Sequence, residues 1–188
     1  MLIKIIITKA IENNEFTVGI FLNLHVSKAF DTVNHDILLR KLYFYGIRGS
    51  CHAWIKHYLS NRKQIVKYNQ IRSSKSLITC GVPQGSVLGP SLFLIYINDL
   101  INSTTKLSTI LFADDTNMFC SGKDMHELEI TVNSELARVQ EWLTLNQLTL
   151  NIKKQINYFH CFQIPQKTIK KRFASHIKWE CIAESRGE

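Results

Sequence analysis

The 188-residue chain contains no Cys-x-x-Cys pair. Its five cysteines, Cys51, Cys80, Cys120, Cys161 and Cys181, stand far apart. That spacing argues against a zinc site or a disulfide frame and suits reduced, mostly buried thiols in an intracellular protein. A long apolar run is also missing. The longest, Leu92 to Ile97, is far too short to span a bilayer, so no membrane segment is expected. The opening MLIKIIITKAI is interrupted by Lys4 and Lys9, with no small-residue cleavage site after it. It reads as an amphipathic helix and not as a signal peptide. Acidic residues are scarce as well: 15 Asp and Glu against 23 Lys and Arg give a formal net charge of +8. That balance favours a polyanionic partner such as nucleic acid. Only three prolines and eight glycines, with no internal repeat or low-complexity stretch, leave an ordinary globular composition, 45% hydrophobic and 10% aromatic.

The pattern along the chain alternates. Residues 17 to 24 (TVGIFLNL) form a β-branched apolar run, expected as a strand buried on both faces. Asn34 and Asp36 can cap a helix with an apolar stripe of Ile37, Leu38, Leu42 and Tyr43, ended by Gly46. Trp54, Ile55, Tyr58 and Leu59 mark a second helix. Strands are expected over 63 to 70 and 75 to 80 with an Asn-Gln turn between them. Gly81-Val82-Pro83-Gln84-Gly85-Ser86 reads as a loop leading into a helix from Pro90 to Leu100, apolar almost all round and expected to be buried. Strands over 107 to 113 and 116 to 120 flank Asp114-Asp115. A long helix over 124 to 145 follows, with Asp124 and Glu127 as a capping box and Met125, Leu128, Val132, Leu136, Val139 and Leu143 as its stripe. Strands near 148 to 152 and 156 to 162 complete an α+β fold, a sheet with helices on one face. One domain is expected over 1 to 165, with a basic, weakly ordered tail over 166 to 188.

Adjacent carboxylates at a strand-turn-strand junction repel, and a divalent cation or a basic group offsets that repulsion. A solvated turn is the plain alternative for such a pair. Three strings together, "VSKAFDTVNHDILLRKL", "CGVPQGSVLGPSLFLIYINDL" and "FADD", resemble in order and spacing the palm of reverse transcriptases, most closely those of non-long-terminal-repeat retrotransposons. The resemblance covers roughly residues 1 to 160. It implies a palm-like antiparallel sheet with partial fingers and no thumb. It also implies two-metal nucleotidyl transfer with Mg²⁺, or Mn²⁺, on an RNA template with a DNA primer and deoxynucleoside triphosphates. By position, Asp114 is the metal ligand and Asp115 its supporting partner. Phe30 resembles the bulky residue that excludes a 2′-hydroxyl, and Pro83, Gln84 and Gly85 the loop touching nucleotide and template. Lys154, beside Lys153, resembles a lysine that protonates pyrophosphate. Arg62 and Lys63 are candidates for the nucleic-acid backbone. Core packing for Phe30 and plain solvation for the lysines are the alternatives.

The first strand departs from the family pattern. Asn23 stands where the family's metal-bridging Asp belongs, and His25-Val26 looks like a two-residue insertion. An amide oxygen ligates Mg²⁺ but is neutral and cannot bridge two cations. Asp31, past Phe30, is expected to cap or abut the next helix, and His25 suits softer metals. The expectation is therefore a decayed palm fragment with weak or no activity. The alternative is a non-catalytic nucleic-acid-binding module.

Overall fold

A computed structural model of the chain describes residues 2–23, 30–112 and 115–148. The expected strands near 148 to 152 and 156 to 162 and the tail over 166 to 188 lie outside the described residues. The elements run α1 (Leu2–Glu12), β1 (Phe16–Asn23), α2 (His35–Phe44), α3 (Gly49–Leu59), and four two-residue strands: β2 (Lys63–Gln64), β3 (Lys67–Tyr68), β4 (Ile71–Arg72) and β5 (Ser76–Leu77). Then come α4 (Leu88–Ile97), a 3₁₀ turn (Asn98–Ser103), β6 (Ser108–Phe112), β7 (Asp115–Gly122) and α5 (Met125–Leu145). This is a mixed α+β fold. No helix among the described residues is long and apolar enough to cross a membrane. The chain divides into two compact units. One takes in Met1–Leu24 and Leu100–Trp142, the other His25–Asp99 and Leu143–Thr149.

The first unit is built on an antiparallel sheet in the order β1-β7-β6. Val18, Ile20 and Leu22 on β1 lie opposite Cys120, Met118 and Thr116 on β7, and all six are buried. Burying each of the larger apolar side chains contributes about 1.5–3 kcal/mol. The other face is closed too. Thr17 bonds Ser121 across the ladder at 2.9 Å, and Phe119 sits opposite Gly19. A Cβ on Gly19 would lie 3.2 Å from the Phe119 ring, which packs edge-on to Phe21 with centroids 5.8 Å apart. A glycine is what lets that ring lie across the strand. The double-sided burial expected of β1 therefore holds. In α1, Ile3, Ile6, Ile7 and Ala10 turn inward, while Leu2, Ile5 and Ile11 remain exposed. Asp124 caps α5, its carboxylate accepting from the backbone N–H groups of His126 (2.7 Å) and Glu127 (2.9 Å). Leu128, Val132, Leu136, Val139 and Leu143 form the buried stripe the periodicity indicates.

In the second unit Asn34 caps α2 as expected, accepting from Asp36 N–H (2.9 Å) and Ile37 N–H (3.0 Å). Its amide also donates to Gln147 at 3.0 Å. Leu38 and Leu42 are fully buried, whereas Tyr43 is 49% exposed, so the stripe is narrower than its sequence suggests. In α3, Ile55 and Leu59 face inward but Trp54 is 56% exposed, and Cys51, like Cys80, is exposed where burial was expected; of the described cysteines Cys120 is buried. Helix α4 starts two residues before Pro90 and tightens to 3₁₀ from Asn98. It is not buried all round: Leu92, Phe93, Tyr96 and Ile97 are covered and Leu94 is 47% exposed. The strands expected over 63 to 70 and 75 to 80 shrink to two short ladders, β2 with β5 and β3 with β4, turning at Asn69-Gln70 with both φ values positive. All eight paired residues are exposed, so no apolar face extends the ladders.

Tyr96 ties this unit together. Its hydroxyl donates to the Asn146 carbonyl at 2.6 Å and accepts from Asn34 N–H at 3.4 Å. The Lys41 ammonium donates to the Tyr96 carbonyl (2.6 Å) and pairs with Asp99. Burial raises the Tyr96 phenol to about 12 from an ordinary 10, because the phenolate has no water there. A phenol raised on folding stabilises the fold below pH 10, and that contribution disappears as pH climbs towards 12. Tyr96→Phe should cost about 1 kcal/mol at neutral pH by losing the buried hydrogen bond. It should also flatten the alkaline fall in stability between pH 10 and 12. Urea unfolding midpoints across that range check both.

Candidate active site

The two-stranded pairing of β6 with β7 sets Phe112 opposite Asp115 with residues 113 and 114 between them, a hairpin like that expected around the acidic pair. On the other side of β7, Asp115 is paired with Asn23, the last residue of β1. The register thus brings the substituted first-strand position and the second hairpin acid to one rung of the ladder. Asp114 itself, with Lys153, Lys154 and His25, lies outside the described residues. Asp115 is exposed and shares a sheet face with Asn117 and Phe119. A further acid of this unit, Glu135, is one that sequence reasoning missed.

Glu135 comes from α5 and is 2% exposed. Its carboxylate accepts from the backbone N–H groups of Thr105 (2.7 Å) and Lys106 (3.1 Å), immediately before β6, and from Arg138 Nη1 (3.2 Å). Burial works against its ionisation, but the Lys106 and Thr105 N–H groups and the Arg138 guanidinium outweigh that and hold its carboxyl below the usual range. The sequence signal was there: Glu135 falls on the buried stripe between Val132 and Val139, where an acid needs a partner. A carboxyl lowered on folding stabilises above its unfolded value of 4.5, and the contribution is lost as pH falls below it. Glu135→Ala should cost roughly 1.5–3 kcal/mol, since two backbone N–H groups lose a charged acceptor. Thermal melts at pH 7 and pH 4 check this, with the gap between the two proteins narrowing at the lower pH.

The nucleotide-loop residues belong to the second unit. Phe30 is half-buried, its ring stacked on Phe93 of α4 with centroids 4.5 Å apart and planes 22° apart. One face of Phe30 is therefore core, as the plain alternative has it. The loop beyond β5 is laced to the residues that follow Phe30. Gly81 N–H donates to the Val33 carbonyl and Val82 N–H to the Phe30 carbonyl, both at 2.8 Å, and a His35 ring nitrogen meets the Gly81 carbonyl at 2.7 Å. Gln84 donates its amide to Asp31 Oδ1 at 2.8 Å. Asp31 therefore does not cap α2, whose cap is Asn34. It holds Gln84. Ser86 donates to the Pro83 carbonyl (2.7 Å) and accepts from Gly89 N–H (3.0 Å), which closes the loop onto α4. Gly85 has φ +77 with nothing within 4 Å of a Cβ placed there, so its open surface suits close approach of a ligand. Gly81 and Ser86 belong to the loop read from the sequence and Asp31 was expected beside the next helix; what sequence reasoning missed are the bonds that tie them to Val33, Pro83 and Gln84. Gly81 opens the Gly-Val-Pro-Gln-Gly string, and its glycine was the available clue.

Known proteins carry the same pattern. The family described as "Reverse transcriptase (RNA-dependent DNA polymerase)" matches residues 8–170. The chain is 30% identical over 156 residues to the RNA-directed DNA polymerase from mobile element jockey of Drosophila melanogaster, covering 79% of this chain and 17% of that protein. It is 27% identical over 172 residues to the probable RNA-directed DNA polymerase from transposon X-element of the same species, covering 86% of this chain and 18% of that one. With the Pol polyprotein from type-1 retrotransposable element R2 of Popillia japonica it shares 26% over 168 residues, covering 83% and 26%. The chain spans under a fifth of the length of the first two relatives. With a family match across most of its length, the chain belongs to the reverse transcriptase family, alongside the polymerases of non-long-terminal-repeat retrotransposons.

Proposed function

We propose that this chain is the palm segment of a retrotransposon reverse transcriptase whose polymerase activity is weak or absent. The β1–β7 register carries the reading. It puts Asn23 on the same rung as Asp115, at the place where the family pattern has a carboxylate. Mg²⁺, or Mn²⁺, is the ion such a site would take. Among the described residues the donors at this rung are one carboxylate and one neutral amide, and that set does not fit a pair of divalent ions. Asp114 and Lys154 keep their proposed roles, as ligand and as proton donor to pyrophosphate.

The chain's own contribution is to recognition. Phe30, backed by Phe93, presents a flat floor for a deoxynucleotide sugar. Gln84, held by Asp31, offers its amide without commitment to one base. An RNA template paired with a DNA primer is the proposed partner, with deoxynucleoside triphosphates as substrates. Primer extension on an RNA template with Mg²⁺ or Mn²⁺ tests this. The unaltered chain should give little or no product, and robust extension abolished by Asp114→Ala would overturn the inactive reading. The net charge of +8 favours a second reading, a non-catalytic nucleic-acid-binding module. Salt-sensitive binding to primer-template that persists without extension, even after Asn23→Asp, would select it.

A further inference from the structure

Two aromatic side chains of α3 and one arginine just past its end form a column. The Trp54 and Tyr58 rings stack with centroids 5.7 Å apart and planes 13° apart. The Arg62 guanidinium lies over the Tyr58 ring, 5.3 Å from its centre. The i, i+4 spacing puts Trp54 and Tyr58 on one side of α3, and Arg62, past the end of the helix, lies back over the second ring. The indole at its end is 56% exposed, an unusual place for so large an apolar ring unless it meets something. The column leads into the β2–β5 hairpin region, whose base is fastened by a hydrogen bond from Ile78 N–H to the Arg62 carbonyl at 2.8 Å.

That region carries a second, independent oddity. Lys67 and Arg72 are paired directly across the β3–β4 ladder, and beside them Tyr68 is 75% exposed. Like charges opposite one another weaken a ladder that is already only two residues long. An anion lying over the pair would offset the repulsion. From Ile37 to Asn98 the chain has nine Lys or Arg and no Asp or Glu, so the basic excess of the whole protein is concentrated here.

We propose that the Trp54–Tyr58–Arg62 column and the Lys67–Arg72 rung together form a docking surface for single-stranded nucleic acid, outside the catalytic rung. The indole stacks an unpaired base, and Arg62, Lys67 and Arg72 follow the phosphates. A duplex hides the faces of its bases, so the column discriminates in favour of single strands. The surface does not depend on synthesis, and its test uses binding alone.

Fluorescence anisotropy of a labelled single-stranded RNA 12-mer, titrated with the full chain over a range of salt, reads both parts. Trp54→Ala should weaken binding about tenfold while leaving the salt slope unchanged. Lys67→Ser with Arg72→Ser should instead lower the slope by about 1.4, the value for two phosphate contacts on a single strand. A duplex of the same sequence should bind more weakly than the single strand, and should be indifferent to Trp54→Ala. The substituted positions Trp54, Lys67 and Arg72 are all exposed, so matching melting temperatures check that the variants remain folded. Equal affinity of Trp54→Ala and the unaltered chain for the single strand would overturn the platform while leaving the palm reading intact. So would a mass that doubles with protein concentration in a Trp54-dependent way, since the column would then be a self-association face.

Discussion

Asn23→Asp should raise the rate of primer extension by about 10² to 10³, going by the effect of single preorganised electrostatic groups elsewhere. The expectation rests on the rung that pairs residue 23 with Asp115. β1 ends on that rung with an asparagine in place of the carboxylate of the family pattern. Calorimetric titration with Mn²⁺ gives a readout independent of turnover: the aspartate variant should bind the ion more tightly than the unaltered chain. The His25-Val26 insertion works against full recovery, since misplacement by about 1 Å costs a further factor of roughly 10². Asn23→Asp with those two residues removed should therefore exceed Asn23→Asp alone. If neither variant extends a primer nor binds Mn²⁺ more tightly, Asn23 is not the defect.

Gly81→Ala should be among the most destabilising single substitutions in the chain, at roughly 3 kcal/mol or more. A Cβ there would stand 2.8 Å from the Asp31 carbonyl oxygen and 2.9 Å from both the Asp31 Cα and the Phe30 carbonyl oxygen. All three are backbone atoms, so no side chain can swing aside. The residue also has φ +86, where an L side chain is strained. Gly85→Ala separates the two effects. It has φ +77 with nothing within 4 Å, so strain alone should cost it about 1–2 kcal/mol. Urea midpoints of the two variants measure the difference, which belongs to the backbone collision. Because the collision is with the residues that carry Phe30 and Asp31, Gly81→Ala should also loosen the Gln84 amide.

Much of this was legible in the sequence, and the failures have physical causes. Period and capping chemistry are local, so β1, the Asn34 cap, the Asp124 cap and the stripe of α5 could be read directly. The acidic hairpin followed from its flanking strands. What could not be read were properties set by distant partners. Trp54 and Leu94 match the apolar pattern of their helices, yet which sector is covered depends on what packs there. The strands over 63 to 70 and 75 to 80 have β-forming residues but no apolar face to lie on. Glu135 and Asp31 found their partners 29 to 53 residues away in the chain, at Lys106 and Gln84, beyond the reach of any local rule. For the site, the loop and the first-strand departure were visible, and the rung joining Asn23 to Asp115 needed the register.

The pairing of Gly19 with Phe119 has a consequence for how such a chain can change. Sliding β1 by one residue against β7 would press a side chain tightly against the Phe119 ring, and would exchange its inner and outer faces. The glycine works as an index mark that fixes the count from there to the end of the strand. With that count fixed, residue 23 stays opposite Asp115 whatever side chain it carries, so a substitution there changes the chemistry of the rung without moving it.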